Sequence, residues 1–474
     1  MNLRTKYVLL AIGTAFFSIA WTMGLTPAWA KAPDEDSPDI SLVIKAHVDS
    51  SSAGTSQTSQ APQTLPRSLR DAYFAALNRS ETVAVQQELL VQNHEGQSQA
   101  IGAVMPTITG SWNFLNQPQP SAPIGTSISP STQNTVKLTA DQPLFRGLRD
   151  LAALRQKKYL VGMQKQAVLA AAKQLFYDLS TAYYNVLAYK WDVANYKKEI
   201  EINETRLKEL QGFYKIGRSQ LTDVLTFKSN VTSLRVNLEN SIGQLEVAKD
   251  VLAYLTGWNR DTFLNNAENL RDTEPLYTDI PNIQTLLKEV DNRPDVQLAL
   301  GNVQAFDEGV PLAWGQHLPN IDLIGDYYFD RPGVVSTVHW DAQIMLSVPL
   351  FQGGIVQSQV RQATSVARQY SQLLSQARRL GEEEIRMFHN QLNADRQQIS
   401  KLTELVEISK KNYETEVRYY RNGLVTNLDV LTAVNTFQDA QRQLDHQRMI
   451  VQLDAAKLQA ATGKRSEIAT ALKE

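Results

Sequence analysis

The chain has 474 residues, 43% hydrophobic and 20% charged, with a formal net charge of −2 and no cysteine. Near-neutrality offers no basic face to nucleic acid. The missing cysteine excludes disulfides, thiolate metal sites, cysteine nucleophiles and an N-terminal lipid-bearing cysteine.

Arg4 and Lys6 precede an apolar run from Tyr7 to about Leu25, which ends at Ala28-Trp29-Ala30. A charged start, an apolar middle and small residues at a cleavage point predict a secretory signal peptide over 1–30. Residues 31–66, rich in Ser, Gln, Pro and Asp, predict a disordered lead that cannot bury enough apolar surface to fold.

A first repeat is predicted over 67–258. Its two strands, about 106–116 and 134–145, alternate with period two. Ile108, Gly110, Trp112 and Phe114 oppose Thr109, Ser111 and Asn113, and Val136, Leu138 and Ala140 oppose Lys137, Thr139 and Asp141. No proline occurs from Leu144 to Glu274, which invites long helices. A helical hairpin is predicted over about 147–255, with its tip near Gly217, where glycine suits a left-handed helix end. Residues 259–292 are a linker between repeats.

A second repeat is predicted over 293–464, with strands at about 319–329 and 338–349 and a hairpin at about 353–462 whose tip lies near Gly423. Ile385, Phe388, Leu392, Ile399, Leu402 and Val406 follow coiled-coil spacing, as do Val430, Val434, Phe437, Leu444, Val451 and Leu458. Residues 465–474 form a tail. Three anchors keep one offset of 206 between the halves: "PLFRG" at 143 and "PLFQG" at 349, "YKIGRSQLTDVL" at 214 and "YRNGLVTNLDVL" at 420, and Thr-Gly at 256 and 462. This is the signature of a tandem duplication. The fold class is α+β, mostly α. The strands have the length of tilted transmembrane strands. Four cannot close a barrel, and open edges are not tolerated in lipid, so several chains must contribute.

The duplicated order of strand, strand and long hairpin, with "SLRDAYFAALNRS" at 68–80, "RPDVQLAL" at 293–300 and the twin PLF-x-G and Y-x-x-G-x(5)-D-V-L signatures, resembles the TolC family of outer-membrane efflux proteins. The resemblance spans roughly residues 67–464. It implies a homotrimer with a 12-stranded β-barrel and an α-helical barrel, and an equatorial belt from 259–292 and the tail. It implies a duct rather than an enzyme, without cofactor or metal. The partners implied are outer-membrane lipid, a periplasmic adaptor and an inner-membrane transporter, for efflux or type I secretion.

In the family the hairpin tips close the periplasmic mouth like an iris. The matching positions give a link from Tyr420 to Asp223. A second link would use Thr222, but its basic partner is replaced here by Val425. Of two constriction aspartates, Asp429 matches one, and the other position is Thr432. Gly217, Gly423 and Leu424 lie at the end an adaptor must grip. Trp112 and Trp340 fit the aromatic belt, with interior packing as the alternative. A carboxylate ring favours cations, and its mutual repulsion raises apparent pKa values. Asp223 and Asp429 also fit plain helix caps after a turn.

The remaining signals are weak. The six histidines lack H-x-x-x-H spacing. "ATGKRS" at 461–466 has Leu458 where a phosphate loop needs glycine. Glu382, Glu383 and Glu384 read as a solvated face. A periplasmic adaptor and a soluble coiled coil are the competing readings. The duplicated hairpin argues against the first, and the signal peptide and strands argue against the second.

Overall fold

A computed structural model of the chain describes residues 68–118, 131–258 and 280–462. The predicted leader, the lead over 31–66, most of the 259–292 linker and the 465–474 tail lie outside these residues. The described chain opens with α1 (Leu69–Arg79) and α2 (Glu81–Gly102). Ser68 and Ser80 cap them by accepting the amides of Asp71 and Val83. Strands β1 (Thr107–Asn116) and β2 (Thr132–Arg146) lead to α3 (Arg149–Lys215) and α4 (Leu221–Thr256). Beyond residue 280 come α5 (Ile283–Leu287), a 3-10 turn at Val290–Asn292, α6 (Pro294–Asp307) and α7 (Gly309–Trp314). Strands β3 (Asn320–Asp330) and β4 (Trp340–Ser347) then precede α8 (Ile355–Arg421) and α9 (Asn427–Ala461).

Helices α3 and α8 each have 67 residues, about 100 Å at 1.5 Å per residue. They start at 149 and 355, and their return helices at 221 and 427, so the 206-residue spacing persists in the structure. Both hairpins turn back on Gly217 and Gly423, with φ of 74° and 75°. A Cβ there would meet nothing within 4 Å, so the backbone conformation, not crowding, demands glycine.

The four strands form one antiparallel sheet in the order β1-β2-β3-β4. Register puts the predicted faces together. Ile108 pairs with Ala140, Ala140 with Gly325, and Gly325 with Ala342, while Gly110, Leu138, Tyr327 and Trp340 form the next row. The opposite face carries Thr109, Thr139, Asp326 and Asp341 in one row. Among the described residues β1 and β4 have no outer partner. β2 runs past its expected bounds by bulging between Pro143 and Phe145, since proline cannot donate to a ladder. β4 stops at Ser347 rather than 349, just before Pro349.

Inside the second hairpin, Ile385 and Leu392 of α8 pack with Val451, Ala455 and Leu458 of α9. Leu286, Val290 and Val296 cover this core, so the described end of the predicted linker is part of the hairpin's packing. The seven-residue step between Leu392 and Ile399 hides Asp395, which is 2% exposed. Asp395 accepts from Gln447 (2.9 Å) and Gln391 (3.1 Å) and faces Asp454.

A buried ionic cluster joins the two repeats. Arg293, 1% exposed, binds both Asp295 oxygens (3.1 and 2.7 Å) and the Ala461 carbonyl (2.8 Å), and pairs with Glu384. Lys173 of α3 reaches Asp295 at 3.1 Å and Glu384 at 3.8 Å. Burial pushes the Asp295 carboxyl up, but hydrogen bonds from Arg293 and the charges of Lys173 and Arg293 outweigh it, leaving it at about 2. The acidic run is therefore divided. Glu382 and Glu383 face solvent, as expected of the whole run, whereas Glu384 is withdrawn by helix rotation to neutralise Arg293 and Lys173.

Candidate functional site

The twin stretches at 214 and 420 encode the same turn. The amide of Gly217 donates to the Tyr214 carbonyl and that of Arg218 to the Phe213 carbonyl, at 3.0 and 2.8 Å. Gly423 and Leu424 repeat this on Tyr420 and Tyr419, at 2.9 and 3.0 Å. These are Schellman endings. Each aspartate then caps the returning helix. Asp223 accepts from the Gln220 amide (3.2 Å) and the Ser219 hydroxyl (3.0 Å). Asp429 accepts from the Thr426 amide (2.8 Å) and hydroxyl (2.6 Å). These bonds from Thr426 lower the Asp429 pKa in the single chain.

The predicted link between Tyr420 and Asp223 is therefore not formed within the chain. Asp223 is held by its own turn, and Tyr420 lies against an apolar cluster of Leu210, Val224, Phe227, Leu431 and Val434. The Arg206 guanidinium covers the Tyr420 ring at 4.2 Å. Its counterpart Tyr214 is exposed. Thr222 donates to Gln220 (3.2 Å) and Thr432 to the Leu428 carbonyl (2.9 Å), so both hydroxyls serve their own helix. Leu424 is exposed at the second tip.

Side chains not singled out in the sequence connect the hairpins. Arg442 of α9 pairs with Glu199 of α3 at 2.5 Å, and Asn195 donates to Asp445 at 3.0 Å. Burial raises the Glu199 pKa despite the Arg442 charge. The available signal was spacing. Asn195, Glu199 and Asn203 recur every fourth residue, as do Gln438 and Arg442, where a helix seam ordinarily carries apolar residues.

The apolar sheet face is uncovered: Ile108, Trp112, Phe114, Trp340, Ile344 and Leu346 are all exposed, Trp112 to 74%. Both tryptophans lie towards the sheet end remote from the long helices. Trp112 Nε1–H donates to Asn134 (2.7 Å), and Trp340 pairs with Tyr327. Among the described residues no helix is long and apolar enough to cross a membrane, and no group of His, Cys, Asp and Glu could hold a metal ion.

A four-stranded sheet with a bare apolar face runs into two pairs of long helices. Residues 286–464 match the family model described as outer membrane efflux protein. The outer membrane protein TolC of Escherichia coli is 25% identical over 356 residues, covering 70% of this chain and 71% of TolC. Two solved outer-membrane proteins share the fold. VceC from Vibrio cholerae has a TM-score of 0.72 and 19% identity, over 83% of this chain and 96% of that one. The MtrE outer membrane channel of Neisseria gonorrhoeae has 0.70 and 16%, over 84% and 89%. The chain is thus similar to TolC over 70% of its length, and its residues 286–464 match the outer membrane efflux protein family.

Proposed function

We propose that three copies of this chain form a duct through the outer membrane, with four strands from each closing one twelve-stranded barrel and the hairpins continuing it as a periplasmic tunnel. One observation carries this reading: among the described residues the sheet leaves its apolar face bare and both edges open. Lipid cannot hydrate an open edge, and the smallest barrels need about eight strands, so copies must pool theirs. The matched hairpins are a tandem duplication lying side by side.

The chain carries cargo rather than transforming it. A leader over 1–30 directs export, and an inner-membrane transporter supplies the energy. An adaptor grips the tips around Gly217, Gly423 and Leu424. The cargo is small molecules, or proteins in a type I secretion assembly. The tips move like an iris, with Asp223, Thr222 and Tyr420 at the moving end, and three Asp429 carboxylates with Thr432 nearby line the constriction. Repulsion within that ring opposes the downward pull of Thr426 on Asp429. Trp112 and Trp340 anchor the barrel at its outer lipid boundary.

Fractionation with an unheated gel tests the assembly, and a planar bilayer tests the duct. The expected result is a heat-sensitive trimer in the outer membrane that conducts ions. A water-soluble periplasmic monomer would overturn the reading in favour of an adaptor or a structural coiled coil.

A further inference from the structure

The apolar surface of the sheet does not stop where the strands stop. Leu144, at the bulge of β2, and Leu148, just before α3, are exposed. Leu350, the counterpart of Leu144 in the second repeat, is 92% exposed. Gly147 and Gly315 touch backbone to backbone, with room for no Cβ on either. That contact brings Leu148 near Trp314, which is also exposed.

Leu148 is held in an unfavourable shape. Its φ of 61° is left-handed, alone among the described non-glycine residues, and such a backbone strains a branched side chain. The residue 206 positions on is Gly354, with φ of 81°, so glycine fills the same place in the second repeat without strain. A strained leucine pointing into water would gain nothing. One entering an apolar phase recovers its burial.

Charge accompanies this apolar collar. Residues 149–160 hold four basic side chains and one acidic, and 355–366 hold one basic and none acidic, although the whole chain is net −2. Lys158 and Arg361 are exposed, and among the described residues neither pairs with a carboxylate; Arg361 meets the Ser358 hydroxyl at 3.0 Å. Side chains lean towards the start of their helix, so both charges tilt back towards the sheet. The height also fits. Asn134, opposite Phe114, and Leu144 stand ten residues apart on β2. That is about 33 Å along a strand and about 25 Å at the usual tilt, the height of a lipid-facing band. With Trp112 and Trp340 at one boundary, the junction falls at the other.

We propose that this junction docks on the phospholipid leaflet at the periplasmic side. Leu144, Leu148, Trp314 and Leu350 enter its apolar layer, and Lys158 and Arg361 bind the phosphates of anionic headgroups. The proposal rests on the duct reading and adds a lipid preference to it. Continuity with the bare apolar face of the sheet favours lipid over a second copy of the chain as the occupant.

The test places full-length trimers in phosphatidylcholine vesicles, with or without phosphatidylglycerol, and reads trimer melting. The wild type should melt several degrees higher with the anionic lipid, and salt should shrink that gain. K158Q/R361Q should lose most of the gain yet melt like the wild type in phosphatidylcholine alone. Because the chain has no cysteine, L148C and L350C each accept a single bimane label. Lipid carrying a headgroup nitroxide should quench both. Equal melting in the two lipids, a gain that survives in K158Q/R361Q, or an equal gain from inorganic phosphate alone overturns the proposal. Positions 148 and 350 closed to labelling in the folded trimer overturn it in favour of a neighbouring copy. A conducting wild type without lipid preference overturns this inference alone, whereas one that never conducts overturns the duct reading.

Discussion

The two seams that α9 makes differ in their balance of apolar and polar side chains. Against α8, its own hairpin partner, α9 buries Val451, Ala455 and Leu458 with Ile385 and Leu392. Against α3 of the other hairpin it presents Asp445, Arg442 and Gln438. The first contact is closed by a short turn and a largely apolar core, with Asp395, Gln447 and Asp454 as its buried polar members. The second joins segments far apart in sequence by bonds that water can replace.

The strongest way to break this contrast is Leu392→Ala. Leu392 is 0% exposed, and truncation of such a residue costs about 2–5 kcal/mol. Trimer melting should fall sharply, while the trimers that survive keep the wild-type resting conductance. A leaky Leu392→Ala trimer would mean that the two seams are not separable.

Asp454 sharpens the contrast from within the apolar seam. Burial, a hydrogen bond with Asp395 and repulsion from Asp395 raise its carboxyl from 3.8 to about 7, with Lys457 pulling the other way. Between those values the folded chain holds a proton that the unfolded chain has lost. Stability from this group is therefore greatest in acid and declines as pH rises towards 7. Asp454→Asn keeps the neutral form, so its melting temperature should exceed that of the wild type at pH 8 and converge with it near pH 4. Equal differences at both pH values would show that the pair does not share a proton.

Gly423→Ala addresses the turn that the two seams share. A left-handed non-glycine residue costs roughly 1–2 kcal/mol, and the loss should appear as faster amide exchange at the tip rather than as global melting. The smallest effect is expected from Asp429→Asn. Losing one exposed carboxylate of a capping box should loosen only the first turn of α9, while cation preference in the bilayer should fall. Unchanged ion selectivity would place the constriction elsewhere.

Much of this was legible in the chain itself. Strand alternation gave the faces, and register later aligned Ile108, Ala140, Gly325 and Ala342 as one row. The 206-residue offset pointed to two hairpins with tips near Gly217 and Gly423, and both glycines take a left-handed backbone between their helices. Aspartates at 223 and 429 were readable as caps, because capping depends only on neighbours a few residues away. Contacts between distant segments were not readable. Glu384 looked solvated because its partners Arg293 and Lys173 lie 91 and 211 positions earlier, and Asp395 was invisible within a heptad step.

The sequence alone determined periodicity, turns and caps, since these are local consequences of side-chain shape and backbone freedom. Which face of α3 meets α9, which carboxylates lose their water, and where Tyr420 finds its partner were decided only by tertiary packing. Those outcomes depend on helix rotation and on the neighbour across the gap, and a one-dimensional pattern specifies neither.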